Sequence, residues 1–308
     1  METRLLEYFV NVADEQNVTR ASERLFVAQS TVSAGLRSLE RDLGVRLFER
    51  TTKTVQLLPA GEALLPLARS LLDDVEGLRA VAGQSATGLR GRVRIGTFAG
   101  LQLLDLPRVL GRFRREHPLV DVQLVASASG STGLVDDLAR GRLDLAFSAL
   151  PTPPDLDAWP VARYPFVVLV PAGHRFAEAG RPVALAELAG EDWIDLLPGY
   201  GNRVLLDAAL ADRGLARHVA AELAELPSVA LYVAAGLGVA VIPEVEGIEG
   251  VEGCVVLLLR DPLGPWVVSL AVRHGATRRP HLRALIESLR AGTPGGPEGP
   301  AGQSRGEA

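Results

Sequence analysis

The sequence is poor in cysteine, aromatic residues and lysine. Cys254 is the one cysteine among 308 residues, so a single chain cannot form an internal disulfide or a multi-cysteine metal site. The five histidines lack metal-ligand spacing, and we expect no metal and no cofactor. No apolar run reaches the ~18 residues of a membrane span, and the N-terminus does not read as a signal peptide. We therefore expect a soluble cytoplasmic protein with no membrane partner.

Motifs of catalysis and nucleotide binding are also missing. Neither a phosphate-binding loop nor a GxGxxG run is present. The run Gly-Gln-Ser-Arg-Gly at 302–306 matches the nucleophile-elbow pattern, but no strand precedes it and no helix follows it. It lies in a Gly/Pro-rich tail, residues 292–308, that we expect to be disordered. No catalytic residues and no enzymatic activity are predicted.

Charge is unevenly distributed along the chain. The formal net charge is -5, which argues against a protein that coats nucleic acid nonspecifically. Between Gln16 and Leu58, however, basic residues outnumber acidic ones. A locally basic module in an acidic protein favours binding to specific DNA sites. The length, with 47% apolar residues, predicts two or three domains with full cores.

Residues 1–58 carry the pattern of a winged helix-turn-helix, a DNA-binding domain. Apolar spacing predicts a first helix ending near Asn17, a short second helix capped by Thr19, and a third helix from about Gln29 to Leu43. Residues 45–50 and 54–57 predict two strands around a polar tip, the candidate wing. Two short helices joined by a tight turn are the geometry of a helix-turn-helix.

Residues 59–90 predict a linker helix followed by a hinge. Apolar residues repeat at alternating spacings of four and three, as in a coiled-coil seam: Leu64, Ala68, Leu71, Val75, Leu78 and Ala82. Such a helix needs a partner, most economically a second copy of this chain. Pro66 falls within the seam, so a kink or a late helix start is expected there.

Residues 91–291 alternate between strand-like and helix-like segments, which predicts an α/β domain with a largely parallel sheet. The strands are predicted at 93–96, 120–127, 143–148, 166–170, 239–242, 255–259 and 267–272. The Pro-rich stretch at 151–154 indicates a crossing between two lobes, and the last strand returns to the first lobe. This places lobe I at about 91–161 and 267–291, and lobe II at about 162–266.

The run Asn-Val-Thr-Arg-Ala-Ser-Glu-Arg-Leu at 17–25, with Val-Ala-Gln-Ser-Thr-Val-Ser at 27–33 and Leu-Arg-Ser-Leu-Glu at 36–40, resembles the DNA-binding domain of LysR-type transcriptional regulators. Segments at 141–146 and 235–243 resemble that family's effector domain more loosely. The resemblance implies an α/β protein with a winged helix-turn-helix, a long linker helix and a two-lobed, periplasmic-binding-protein-like effector domain. It also implies a homodimer or homotetramer that binds double-stranded DNA at promoters or operators under control of a small-molecule effector.

A recognition helix docks its N-terminal half in the major groove. The candidates for groove contact are therefore Gln29, Ser30, Thr31, Ser33 and Arg37, and those for backbone or minor-groove contact on the wing are Arg50, Thr51 and Lys53. Ala34 and Gly35 stand where many relatives carry longer polar side chains. We therefore expect base readout to depend on Gln29, Ser33 and Arg37, and Gly35→Ala to stabilise the helix by up to ~1 kcal/mol.

The resemblance places an effector between the two lobes, where helix N-termini favour an anion such as a carboxylate. The candidate effector contacts are Thr97, Phe98, Gly100, Ser131, Thr132, Tyr200, Asn202, Arg203 and Ser228. Two alternatives stay open at this point: Ser131 or Thr132 serves as a helix N-cap, and Arg203 forms a surface salt bridge instead of pairing with a carboxylate.

A different class of function also stays open. The chain could be a solute-binding or metabolic α/β protein whose N-terminal helices only pack and do not bind DNA. Binding to the DNA upstream of its own gene, at physiological salt, distinguishes the two hypotheses.

Overall fold

The computed structural model describes residues 2–50, 55–83, 88–100, 105–248, 250–261 and 263–292. The N-terminal module consists of helices α1 (Thr3–Glu15), α2 (Val18–Arg24) and α3 (Gln29–Leu43), and the hairpin β1 (Phe48–Arg50) with β2 (Val55–Leu57). The predicted helix-turn-helix and wing are both present. The predicted wing tip, residues 51–53, and residues 293–308 of the predicted tail lie outside the described residues.

Local capping corrects one expectation in this module. The N-cap of α2 is Asn17, whose side chain accepts hydrogen bonds from the backbone N–H groups of Thr19 and Arg20. The prediction that Thr19 caps this helix was wrong because Asn17, two residues earlier, satisfies the free amides of the first turn. Gly44 ends α3 with φ +70, as its position after the last apolar residue indicated.

Helix α4 (Pro59–Gly83) follows the hairpin directly and contains Pro66 in its interior, so the expected late start is not observed. Its N-terminal half packs on the N-terminal module, where Leu65 and Ala68 are buried. Three leucines farther along the same helix are exposed: Leu67, Leu71 and Leu78. Ala68 was assigned to the intermolecular seam but lies in the core of its own module.

The first lobe is built on a five-stranded sheet with the order β4-β3-β5-β12-β6. Its strands are β3 (Gly91–Phe98), β4 (Val120–Ser127), β5 (Leu145–Ser148), β6 (Leu156–Tyr164) and β12 (Trp266–Arg273), and its helices are α5 (Leu106–Glu116), α6 (Gly130–Ala139) and α10 (Pro280–Ala291). Strand β3 is parallel to β4 and β5, whereas β12 is antiparallel to β5 and β6. The return of the last strand to this lobe is confirmed.

The second lobe contains strands β7 (Phe166–Pro171), β8 (Asp192–Leu196), β9 (His218–Leu223), β10 (Ala240–Pro243) and β11 (Cys254–Leu258), with helices α7 (Arg175–Ala179), α8 (Gly201–Ala211) and α9 (Val229–Ala234). The central strand β7 is antiparallel to both β10 and β11, while β8 and β9 are parallel. The expectation of a largely parallel sheet was therefore wrong for this lobe.

A buried ion-pair cluster anchors α10 to the five-stranded sheet. The carboxylate of Asp144, which is 2% exposed, accepts hydrogen bonds from the guanidinium groups of Arg94 and Arg279. Burial alone would raise the pKa of Asp144, but the charges of Arg94 and Arg279 bring it below its ordinary value.

No helix in the described part of the chain combines the length and apolar character needed to span a membrane.

Candidate DNA interface and effector cleft

Helix α3 presents a polar face to solvent. Gln29, Ser30, Thr31 and Arg37 are exposed and Ser33 is half-buried, whereas Val32, Leu36 and Leu39 on the opposite face are fully buried. Arg37 forms no ion pair with any residue that the structure describes. The predicted groove-contacting residues are therefore accessible on a helix whose apolar side chains pack in the core of the N-terminal module.

Gly35 lies on the buried face of α3, not on its solvent face. A Cβ atom added there would lie 2.4 Å from Cδ2 and 2.9 Å from Cε2 of Tyr8, a side chain of α1 that is itself buried. The missing side chain allows the two helices to approach closely. Gly35 is therefore not a position from which a longer side chain would reach DNA, and the close contact with Tyr8 argues against the expected stabilisation by alanine.

The wing hairpin is tied to the recognition helix. The Glu40 carboxylate of α3 accepts hydrogen bonds from the backbone N–H of Leu47, at 2.9 Å, and of Phe48, at 3.4 Å. The rings of Phe48 and Phe9 pack with centroids 5.4 Å apart. The backbone of Arg50 ends strand β1. The Arg50 side chain and the wing residues Thr51 and Lys53 lie outside the described residues.

A small apolar cavity lies where the first lobe meets the second. It is lined by Phe98, Ala99, Leu196, Tyr200, Gly201, Asn202, Leu226 and Trp266. Its volume is about 10 Å³, which is room for about one water molecule. Three of the predicted effector contacts, Phe98, Tyr200 and Asn202, line this cavity.

Thr132, one of the two predicted contacts on α6, bonds across the cleft to the other lobe. The backbone N–H and the hydroxyl of Thr132 both donate to the carbonyl oxygen of Gly199, at 3.1 and 2.9 Å. Gly130 lies so close to the other lobe that an added Cβ atom would be 2.8 Å from the Cα of Tyr200, and its φ of +56 also favours glycine. The structure therefore has the cleft in a closed conformation.

Ser131 has a structural role. Its hydroxyl is buried and accepts a hydrogen bond from the backbone N–H of Ala149 at 3.1 Å. The N-cap of α6 is Ser129, so neither Ser131 nor Thr132 is the cap that was considered as an alternative. Thr97 is half-buried in β3 and does not line the cavity.

Two further predicted contacts lie beside Glu225. The Ser228 hydroxyl donates to the Glu225 carboxylate at 3.4 Å. A Cβ atom added at Gly100 would lie 3.3 Å from the carboxyl carbon of Glu225. Neither Gly100 nor Ser228 lines the cavity. Both lie beside the negatively charged side chain of Glu225.

Arg203 does not line the cavity, and acidic side chains already surround it. Its guanidinium donates to the Glu222 carboxylate at 2.9 Å and to the carbonyl oxygen of Leu196 at 2.7 Å, and lies 3.4 Å from the Asp195 carboxylate. Burial alone would lower the pKa of Arg203, yet these acids, Asp195 first, raise it. The prediction of a carboxylate-binding role for Arg203 was wrong for this conformation, and the alternative of a salt bridge is the one observed.

Sequence reasoning missed Trp266, the largest side chain of the cavity. It is 3% exposed, begins the strand that returns to the first lobe, and packs against Phe98 and Tyr164 with ring centroids 5.8 and 5.7 Å away. The available signal in the sequence was a tryptophan at the point where the chain crosses from one lobe to the other, which is where the cavity lies.

The N-terminal module contacts the first lobe through Arg69 of α4. The Arg69 side chain is 4% exposed and donates both to the Asp14 carboxylate of α1 and to the carbonyl oxygen of Arg140. Burial lowers the pKa of Arg69, although Asp14 opposes this effect. A cavity of about 690 Å³ lies beside this contact, between the module and the lobe. One buried side chain thus joins the two functional parts of the chain.

Comparison with known proteins defines the class of protein. Residues 3–62 match the model of the bacterial regulatory helix-turn-helix protein, lysR family, and residues 86–294 match the LysR substrate binding domain. A DNA-binding domain followed by a ligand-binding domain is the organisation of an effector-responsive transcriptional regulator.

Individual relatives agree over almost the whole chain. The HTH-type transcriptional regulator ShiR of Corynebacterium glutamicum is 30% identical over 280 residues, covering 89% of this chain and 92% of the relative. The structure of a full-length cysteine-to-aspartate variant of OxyR from Pseudomonas aeruginosa has 29% identity and a TM-score of 0.74, covering 94% and 95% of the two chains. The structure of a cysteine-to-serine mutant of OxyR from Corynebacterium glutamicum, H2O2-bound, has 25% identity and a TM-score of 0.56, covering 94% and 92%.

The chain belongs to the LysR family of DNA-binding transcriptional regulators with an effector-binding domain. The predicted family and fold class are confirmed. These relatives are regulators of transcription, which are not enzymes.

Proposed function

We propose that this chain binds operator DNA through the exposed face of α3 and the wing, and that a small molecule held between the two lobes modulates this binding. The observation that supports the DNA-binding part best is the shared face of Gln29, Ser33 and Arg37. These side chains can pair with base edges, whereas Arg50, Thr51 and Lys53 of the wing would contact phosphates. We place this activity in the cytoplasm, with no catalytic step.

We propose the same domain bounds that the sequence predicts. The DNA-binding domain comprises residues 1–58, the linker 59–90 and the effector domain 91–291, with lobe I at about 91–161 and 267–291 and lobe II at about 162–266. The exposed leucines of α4 (Leu67, Leu71 and Leu78) form an apolar stripe on a long helix, which supports a homodimer through this helix. Association of effector domains would extend the dimer to a tetramer.

Reversible binding of a ligand fits the effector cleft better than oxidation of a thiol does. Two of the related structures are OxyR proteins altered at a cysteine, one of them H2O2-bound. In this chain the single cysteine, Cys254, lies in β11, and no cysteine lines the cavity. Burial raises the pKa of the Cys254 thiol, which lowers its reactivity. We therefore assign the cleft to a non-covalent effector.

The experiment that tests the proposed function is a titration of the full chain against fluorescent DNA from upstream of its own gene. Binding should be tighter than to a scrambled duplex of equal length at physiological salt. Equal affinity for both duplexes, or no binding, would favour the alternative of a solute-binding protein with a helical N-terminus.

A further inference from the structure

The interlobe cavity contains two buried hydrogen-bond donors that have no acceptor. Asn202 is 2% exposed and Trp266 is 3% exposed, and both line the cavity. Within the described residues, neither Nδ2 of Asn202 nor Nε1 of Trp266 has a hydrogen-bond partner. Buried polar groups in native proteins are nearly always paired, so two unpaired donors at one cavity indicate a missing acceptor.

The indole nitrogen of Trp266 shows that the missing group must accept a hydrogen bond. An indole N–H can donate but cannot accept a hydrogen bond, whereas an asparagine amide can do either. The Tyr200 hydroxyl adds no further donor, because it already donates its hydrogen to the carbonyl oxygen of Ala224 at 2.9 Å. A ligand in this cavity must therefore bring an oxygen or nitrogen with a free lone pair.

The charges around the cavity argue against an anionic acceptor. No charged side chain is among the residues that line it. The nearby carboxylate of Glu225 adds to burial in raising the pKa of Tyr200, so negative charge already acts on this site. Arg203, the cation that could have balanced a ligand carboxylate, is held by Asp195 and Glu222. Moving an unpaired anion into such a site costs far more than moving a neutral amide or ketone.

The apolar wall indicates the rest of the ligand. The rings of Phe98 and Trp266 are neighbours, and Leu196 and Leu226 complete the apolar surface. Flat or aliphatic groups pack well against such a surface. Since the cavity now has room for about one water molecule, a larger ligand requires the Thr132 to Gly199 contact to open.

We propose that the effector of this chain is an uncharged molecule that presents a carbonyl-type oxygen to Asn202 and Trp266 and an apolar body to Phe98. Amides, ketones, aldehydes and lactones belong to this class, and carboxylates do not. The inference rests on the proposed function, because it assumes that the interlobe cavity is the effector site.

The test uses probes that share a ring and differ in the polar group: benzamide (neutral, with a carbonyl oxygen), benzoate (anionic) and benzylamine (cationic, without a carbonyl oxygen), and the same three groups on naphthalene and cyclohexane. Full-length protein labelled with ¹⁵N-tryptophan gives one indole resonance for each of its three tryptophans. We expect the amides to move the Trp266 resonance and to leave those of Trp159 and Trp193 in place. Each carboxylate should bind at least tenfold more weakly than its amide.

Two variants test the donors themselves. Asn202→Asp replaces a donor by an acceptor of the same shape, and Trp266→Phe removes the indole N–H while keeping a ring. Each should weaken amide binding about tenfold, the loss expected for one buried hydrogen bond. Asn11→Asp in α1 and Trp159→Phe in β6 are matched controls outside the cavity and should leave amide affinity unchanged.

The outcomes separate this inference from the proposed function. Two results would overturn the inferred ligand class. One is tighter binding of the carboxylates than of the amides. The other is a Trp266 resonance that no amide moves at concentrations up to about 10 mM, at which even a ligand with a millimolar Kd nearly saturates its site. Specific binding of upstream DNA in the same preparations would then leave the regulator function standing. Loss of specific DNA binding refutes the proposed function whatever the probes do.

Discussion

Replacing Gly35 by alanine tests how α1 supports the recognition helix. At a helix position where the new methyl group meets no neighbour, replacing glycine by alanine stabilises the folded protein by about 1 kcal/mol, because alanine has the higher helix propensity. Here the new methyl group would lie 2.4 Å from Cδ2 of Tyr8 and 3.4 Å from Cδ2 of Leu5. Tyr8 is 4% exposed, so its ring has little room to move away. Overpacking a core costs about 1–3 kcal/mol.

The net expectation for Gly35→Ala is a loss of about 1 kcal/mol in the free energy of unfolding, measured by urea denaturation followed by circular dichroism. Gly111→Ala in α5 is the matched control, since its added Cβ atom meets only the end of the Arg115 side chain at 3.7 Å. That variant should gain up to about 1 kcal/mol. Equal stabilisation by both substitutions would refute the packing described for Gly35.

Three further predictions concern the linker, the domain contact and the first lobe. Leu78→Asp places a charge in the exposed stripe of α4 and should shift the protein to lighter species in sedimentation, whereas unchanged assembly would exclude this helix from the dimer interface. Arg69→Met removes the contact between α1 and Arg140 and should broaden or split the calorimetric unfolding transition; an unchanged endotherm would show that the contact does not couple the modules. Asp144→Asn leaves two arginines without their buried carboxylate and should destabilise the first lobe by about 3–5 kcal/mol. Because the folded pKa of Asp144 is depressed, its stabilisation is complete above the ordinary value of 3.8 and is lost as the pH falls below it, which an acid titration of the wild type and the variant measures.

Periodicity and β-branched runs were sufficient to predict the helices of the N-terminal module, the linker helix and most of the strands. The strand at 120–127 was predicted with its observed bounds, and so was the recognition helix. Strand β6 was missed because Pro160 interrupts it; the structure accommodates that proline opposite a register shift at Ser269 of β12. The short strands β8 and β9 were missed because charged residues and alanines break their apolar pattern.

The candidate site was harder to predict than the fold because its contacts are between residues far apart in sequence. The bond from Thr132 to Gly199 spans 67 residues, and no local pattern predicts it. The sequence left open whether Arg203 pairs with an effector or with an acidic side chain, and only the fold brings Asp195 and Glu222 to it. Gly35 carries no side chain, so an apolar periodicity could not assign it to the buried face.

The most direct test of DNA recognition compares Gln29→Ala with Lys53→Ala on matched and scrambled operator duplexes at two salt concentrations. Gln123→Ala, a glutamine on β4 in the first lobe, serves as the control. Loss of a base contact at Gln29 should cost about 1–3 kcal/mol on the matched operator only. Loss of a phosphate contact at Lys53 should weaken both duplexes alike and lower the salt slope by about one. Equal weakening of both duplexes by Gln29→Ala would contradict the assignment of α3 as the helix that reads the bases.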